Sequence, residues 1–291
     1  MRSASTSIRR RLDKIGRSRH IRGVTLPHVQ PIIPTWRKEP FDDPEWVFDF
    51  KYDGFRGLCY IEQGRCRFIS RNCNVLSRFE ALGDEVATVL LGVDDAVIDG
   101  EVIAPDETSR PQFYDLIRRT RTPTYVAFDI LWLAGADLRS FPLSERRKRL
   151  RAILPAKSPI ISETLSVTGR GRELLELMCS NDLEGIVAKR LRDPYDPSVR
   201  WLKIKNPDYS QKEGRGDLFS RSWRRPAHSA PCRKIRDGPA DDALRYRSGA
   251  RPAEQAQKYG AAPSAYPGTG KIGGRGEGRE KCGCLRKLRD F

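Results

Sequence analysis

A chain of 291 residues is long enough for one large or two ordinary domains, and it holds no apolar run near the roughly 18 residues of a membrane helix. Its 54 Lys plus Arg against 38 Asp plus Glu leave a net charge of +16, which suits a polyanion such as nucleic acid. Seven cysteines lack the paired C-x-x-C spacing of a closed zinc site, and the arginine-rich N-terminus lacks the apolar core of a signal peptide, so a soluble intracellular protein is expected.

Residues 1–24 are rich in Arg, Lys and Ser and read as a basic flexible arm. Dense apolar periodicity then begins at Trp46 and runs to about Asn206. "WVFDFK" and "GLCYIEQGRCRFISR" read as strands, the second as a hairpin turning at Gln63 and Gly64. In "RFEALGDEVATVLL" the apolar residues Phe79, Leu82, Val86, Val89 and Leu90 recur every three or four positions, which predicts a helix. "AVIDGEVIA" is extended, "QFYDLIRR" helical and "TYVAFDILWL" a strand. "PLSERRKRLRAIL" reads as a helix entered through Ser144, and "GRELLELMCS" as one burying Leu174, Leu177 and Met178. "EGIVAKR" and "WLKIKN" close the unit as strands. Without a regular strand-helix repeat, the order predicts an α+β domain with mixed or antiparallel sheets over 25–210 rather than a Rossmann fold. Residues 211–291 carry 19 Lys plus Arg and 9 Asp plus Glu amid Gly, Ala, Pro and Ser, and are expected to be a disordered basic low-complexity tail.

Lys51 follows Phe48 and Phe50 and is flanked by Tyr52 and Phe55, surroundings that desolvate an amine and favour its nucleophilic form. Arg56 offers a planar fork to a phosphate or carboxylate. Glu101 in "DGE" and Glu184 in "EGIVAK" form a candidate pair for a divalent cation. Lys203 and Lys205 alternate with apolar residues and so share one strand face, where their repulsion calls for a polyphosphate above them. A lysine nucleophile, two carboxylates and phosphate-facing cations are the parts of nucleotidyl transfer. The P-loop and the kinase catalytic-loop signatures are absent.

These strings, in this order, resemble the adenylation domain of ATP-dependent DNA ligases, in particular the bacterial repair-ligase branch, over about 30–217. The resemblance implies an ATP-grasp-like nucleotidyltransferase fold. "KYDGFR" matches the family's nucleotidyl-lysine motif, making Lys51 the AMP carrier and Arg56 a nucleotide and nick contact. "SRN" assigns Arg71 to ribose or substrate phosphate. "DGE" assigns Glu101 to the ribose and the metal site, and "FDILWL" makes Phe128 the adenine platform. "EGIVAK" carries the metal-associated Glu184 and the nucleotide-site cation Lys189, and "LKIK" carries the phosphate ligands Lys203 and Lys205. Asp49 stands where the family has Glu reading the adenine amino group. "DLRSFPLSERRKRL" and "YSQKEGRGDLF" also resemble this branch.

The resemblance implies an ATP-dependent DNA ligase that seals nicks between 3′-OH and 5′-phosphate ends in duplex DNA, using Mg²⁺ with Mn²⁺ as a substitute. It further implies a monomer, free of membranes, in the bacterial cytoplasm on nucleoid DNA, with a DNA end-binding or clamp protein as a candidate partner. The family's C-terminal oligonucleotide-binding barrel is not evident after Phe219. Two alternatives therefore stand beside the ligase: a reduced nucleotidyltransferase that adenylates itself and needs a partner to seal, and an inactive DNA-binding scaffold.

Overall fold

The computed structural model describes residues 26–212. The arm expected over 1–24, the tail expected from 211 (apart from Gln211 and Lys212) and the question of a barrel lie outside them. In chain order the elements are β1 (Thr35–Trp36), β2 (Asp42–Phe50), β3 (Phe55–Glu62), β4 (Arg65–Ser70), α1 (Glu80–Val89), β5 (Asp95–Ile103), α2 (Phe113–Arg118), β6 (Thr124–Leu133), β7 (Ala136–Asp137), α3 (Leu143–Ile153), β8 (Ile161–Glu163), β9 (Ser166–Arg170), α4 (Gly171–Ser180), β10 (Gly185–Arg190) and β11 (Leu202–Lys205).

They form the expected α+β fold with mixed sheets. One sheet runs β1-β11-β10-β2-β9, antiparallel except for the parallel β1–β11 pair; the other runs β4-β3-β5-β6-β7, with β8 parallel to β6. Strand alternation divides the first sheet cleanly. Phe48, Phe50, Ile186, Ala188 and Ile204 are register neighbours on one buried face, and α4 packs there on β2 and β10 with Leu174 and Met178 buried. Asp49, Val187, Lys189, Lys203 and Lys205 therefore share the opposite face. The second sheet buries Cys59, Ile61, Ile98 and Ala127 in a core with Leu82 and Val86 of α1 and Leu150 and Ile153 of α3. No helix among the described residues is long and apolar enough to cross a membrane.

Two expectations are corrected. α3 starts at Leu143 with Pro142 as its N-cap and no side-chain cap, so Ser144 does not open it. The first amides are met instead by a neighbouring loop: Leu143 N donates to Asp193 O and Ser144 N to Leu191 O, each at 3.0 Å. Lys51 lies just beyond β2 rather than within a strand, although its amide still donates to Gly185 O at 2.9 Å.

The Asp-Gly turn after Lys51 has a packing reason. A Cβ on Gly54 would stand 2.1 Å from the Val102 carbonyl oxygen, so β3 approaches β5 closely enough there to exclude any side chain. Across the cleft, Gly185 combines φ +138° with a Cβ position 2.2 Å from Ile204 O. Glycines thus precede β3 and open β10, beside Lys51 and Glu184 respectively.

Gly54→Ala is expected to destabilise the protein by about 3 kcal/mol, because the obstructing atom is backbone that cannot swing aside. An unchanged urea midpoint would contradict this contact. The loop between β5 and α2 makes a second prediction. Half-buried Asp106 is pushed up by burial, but hydrogen bonds from Thr108, Arg110 and Gln112 outweigh that and hold it at about 2, below its usual 3.8. Its stabilisation is therefore fully present above pH 3.8 and is lost as pH falls through about 2. Asp106→Asn should cost on the order of 1–2 kcal/mol at neutral pH, a gap that narrows below pH 4 in urea titrations; a gap independent of pH would refute the assignment.

Candidate nucleotide-binding site

The two sheets meet across a cleft lined by the polar face of the first. At its mouth Lys51 Nζ lies 2.7 Å from Glu184 Oε2, and Lys205 Nζ lies 3.3 Å from Oε1 of the same carboxylate. The expected apolar cage around Lys51 is thus only part of its setting, since a carboxylate faces the amine. Lys203 is pushed down by burial, then by the like charges of Lys205 and Lys51, and Arg71 adds to that repulsion. Exposed Arg71 is thus within electrostatic reach of Lys203, while Glu184 is contacted by the ammoniums of Lys51 and Lys205.

Glu101 pairs in register with Arg56 across β3 and β5. Burial is the main reason its carboxyl is pushed up to about 8; Lys51 and Arg56 oppose the shift, while Glu184 and Asp99 reinforce it. The two expected metal carboxylates are therefore within electrostatic reach of each other. Among the described residues no three His, Cys, Asp or Glu side chains cluster as a metal cage. A cation here would need most of its ligands from phosphate oxygens, the usual situation for Mg²⁺.

Arg56 is anchored more firmly than a freely mobile phosphate ligand. Its Nε and Nη2 donate to both oxygens of Asp99, at 3.0 and 2.6 Å, and its Nη1 donates to Ile32 O. Asp99 also accepts from the Tyr195 hydroxyl at 2.6 Å. The guanidinium carbon lies 5.5 Å from the Phe128 ring centroid and 5.4 Å from that of Trp201.

Phe128 sits at a β-bulge. Register between β5 and β6 slips between Asp99–Asp129 and Gly100–Ala127, leaving Phe128 without a partner, and it slips again so that Leu131 has none. Both residues join the apolar cluster lining the cleft, while Ala127, Ile130 and Leu133 stay with the opposite core.

Deeper in, the Lys189 ammonium lies 2.7 Å from Asp49 Oδ2, 4.1 Å from the centroid of Phe128 and 4.0 Å from that of Trp201. Burial pushes Lys189 down to about 8 against the pull of Asp49. Arg147 Nη2 donates to the same Asp49 oxygen at 2.5 Å. Burial would raise the Asp49 carboxyl, but Arg147 and Lys189 together hold it below its usual range. Its other oxygen, Oδ1, is buried with no hydrogen-bond partner. Lys189 thus sits at the aromatic end with Asp49, apart from the lysines at the mouth.

Sequence reasoning missed Trp201, Asp99, Tyr195 and Arg147. Trp201 and Arg147 stood inside segments recognised as a strand and a helix, where an apolar or basic residue raises no flag. Asp99 precedes the glycine of "DGE", and only its complete burial reveals an ion-pair partner.

Residues 36–205 match the family described as ATP dependent DNA ligase domain. The multifunctional non-homologous end joining protein LigD of Pseudomonas aeruginosa is 37% identical over 172 residues, which are 55% of this chain and 20% of that protein. The SPbeta prophage-derived DNA ligase-like protein LigB of Bacillus subtilis is 30% identical over 193 residues, 63% of this chain and 69% of that protein. The solved structure of a mycobacterial DNA ligase D complexed with ATP and MES aligns with a TM-score of 0.54 at 28% identity, covering 60% of this chain and 59% of that one. The chain spans about a fifth of the length of the LigD proteins it matches. With the match running from β1 to β11 and enclosing every residue of the cleft from Asp49 to Lys205, the chain belongs to the ATP-dependent DNA ligase domain family.

Proposed function

We propose that this chain takes AMP from ATP onto Lys51 and passes it to the 5′-phosphate of a nick in duplex DNA, whose 3′-OH then closes the strand. The observation that carries the reading is Lys51 held 2.7 Å from Glu184, which Lys205 also contacts, with Lys203 on the same sheet face: a nucleophile fixed in a cationic mouth. Nζ bonds to the α-phosphorus as the bond to the bridging oxygen breaks and pyrophosphate leaves. The ammonium first gives up a proton, for which the hydrogen bond to Glu184 is the open route. Lys203, Lys205 and Arg71 offset the charge of the triphosphate and of the departing pyrophosphate.

At the inner end, Phe128 and Trp201 supply apolar surface for the adenine. The unpartnered Oδ1 of Asp49 is an acceptor suited to its amino group, which favours ATP over GTP. Arg147 and Lys189, both on the other oxygen, hold that carboxylate ionised for the task. Glu184 and Glu101 would hold Mg²⁺, or Mn²⁺ in its place, together with nucleotide oxygens. When bound, that ion supplies charge neutralisation of the triphosphate. The donor set fits: two carboxylates within electrostatic reach of each other suit a hard divalent cation that takes its other ligands from phosphate oxygens. The bacterial relatives named for end joining support a role in DNA repair; the reading sets it on nucleoid DNA in the cytoplasm, as a monomer with or without an end-binding partner.

Incubation with Mg²⁺ and α-labelled ATP should leave label on Lys51 after denaturation, and Lys51→Ala should abolish it. A parent without label, once stripped of bound AMP, would overturn the reading; nick sealing by the purified chain tests the later steps. Glu184→Gln should slow self-adenylation by on the order of 10- to 100-fold, because the amine loses both its fixed position and its proton acceptor. Labelling at the parental rate would remove Glu184 from the chemistry.

A further inference from the structure

Trp36 is 64% exposed, more than any other large hydrophobic side chain among the described residues. It lies on β1, the edge strand, and its register partner across the parallel ladder is Lys203. Register partners project to the same side of a sheet, so the indole stands on the face that carries Lys203 and Lys205. Thr35 N and Arg37 N donate to Trp201 O and Lys203 O, and the alternation turns the Trp36 amide towards the open edge. Arg37 is engaged elsewhere: its Nε donates to Glu39 O at 2.9 Å and its guanidinium lies 4.6 Å over the Phe41 ring. The indole is thus an open π-surface one strand beyond the phosphate-facing lysines.

An exposed aromatic ring beside a file of cations is how proteins grip unstacked nucleotides: the ring takes the base face and the cations take the backbone. A protein surface is a poorer occupant, because covering Trp36 would also desolvate Lys203 and Lys205 without supplying the anions they need. We propose that Trp36 is a stacking platform for a base splayed out at the DNA break, with Lys203, vacated once pyrophosphate has left, on the adjoining phosphate. The inference rests on the ligase reading above and adds to it the strand end as a single-stranded element that the enzyme holds open. It places the recognised base outside the nucleotide pocket, whose rings are Phe128 and Trp201.

The test uses the full chain with a nicked duplex carrying 2-aminopurine next to the nick, comparing the parent, Trp36→Ala and Trp36→Phe. The parent must first take label on Lys51 and bind nicked DNA; failure there overturns the ligase reading and this inference together. Given that, Trp36→Ala should be labelled on Lys51 to the parental extent, which also shows that it is folded. It should bind nicked DNA roughly five- to a hundredfold more weakly and lose the quenching of 2-aminopurine. Trp36→Phe should keep most of both. The salt dependence of binding should hardly change in Trp36→Ala, since no phosphate contact is removed, whereas Lys203→Ala should flatten it. Parental affinity and quenching in Trp36→Ala would overturn the platform and leave the ligase reading standing. Loss of Lys51 labelling in Trp36→Phe would overturn it as well, by making Trp36 part of the nucleotide pocket or the fold.

Discussion

The clamp between Arg56 and Asp99 is the interaction on which the cleft depends. Asp99 is fully buried on β5, and a buried carboxylate is costly unless its charge is paired and hydrogen-bonded. Arg56 from β3 meets both its oxygens, while Tyr195, from the segment between β10 and β11, adds a third donor. The spare guanidinium nitrogen reaches Ile32 O, ahead of β1, so one ion pair ties the second sheet to two connections of the first. Orientation follows from this. An arginine used in three directions has no rotamer freedom left, and the two sheets cannot slide without breaking the bonds that Ile32 O and the Tyr195 hydroxyl make to this pair.

The same logic recurs deeper, with different consequences. Asp49 is shared by Arg147 of α3 and Lys189 of β10, and the neighbouring Asp129 is matched by Arg146 through two bonds of 2.8 Å. Replacing such pairs with apolar residues often costs little, so their presence is weak evidence for stability. Their geometry is informative in another way. The Arg146–Asp129 pair is closed on both oxygens, as a purely structural pair would be, whereas Asp49 keeps one oxygen without a partner. That oxygen is the one the proposed adenine contact would use.

Much of this was legible in the sequence, and what was not has identifiable causes. The long elements are amphipathic enough for periodicity to show them, and "LKIK" declared its two-faced character directly. β1, with two residues, and β9, reading SVTGR, were missed because neither is long or apolar enough to alternate visibly. Ser144 looked like a cap because local chemistry favoured it, but the helix starts one residue earlier, and the amides of Leu143 and Ser144 are taken by the backbone of a segment nearly fifty residues later. Phe128 was placed through the family resemblance, and simple alternation from Ala127 agrees with it, whereas alternation misjudges Ile130 and Leu131. Two slips within β6 turn a period of two into steps of three, which no residue type announces. Trp201 and Arg147 escaped because their partners come from other sheets and helices, and single-sequence reasoning has no access to that pairing.

Glu184, with an ammonium on each oxygen, carries one further implication. A phosphoramide nitrogen bears no positive charge, and the phosphate attached to it bears a negative one. A Lys51 carrying AMP would therefore make the mouth of the cleft less positive by two, one for the ammonium lost and one for the phosphate gained. Glu184 would then keep only Lys205 of its two counter-ions. The free and loaded proteins would be electrostatically different objects at the point where a polyanion arrives, and local charge alone would record how far the cycle has run.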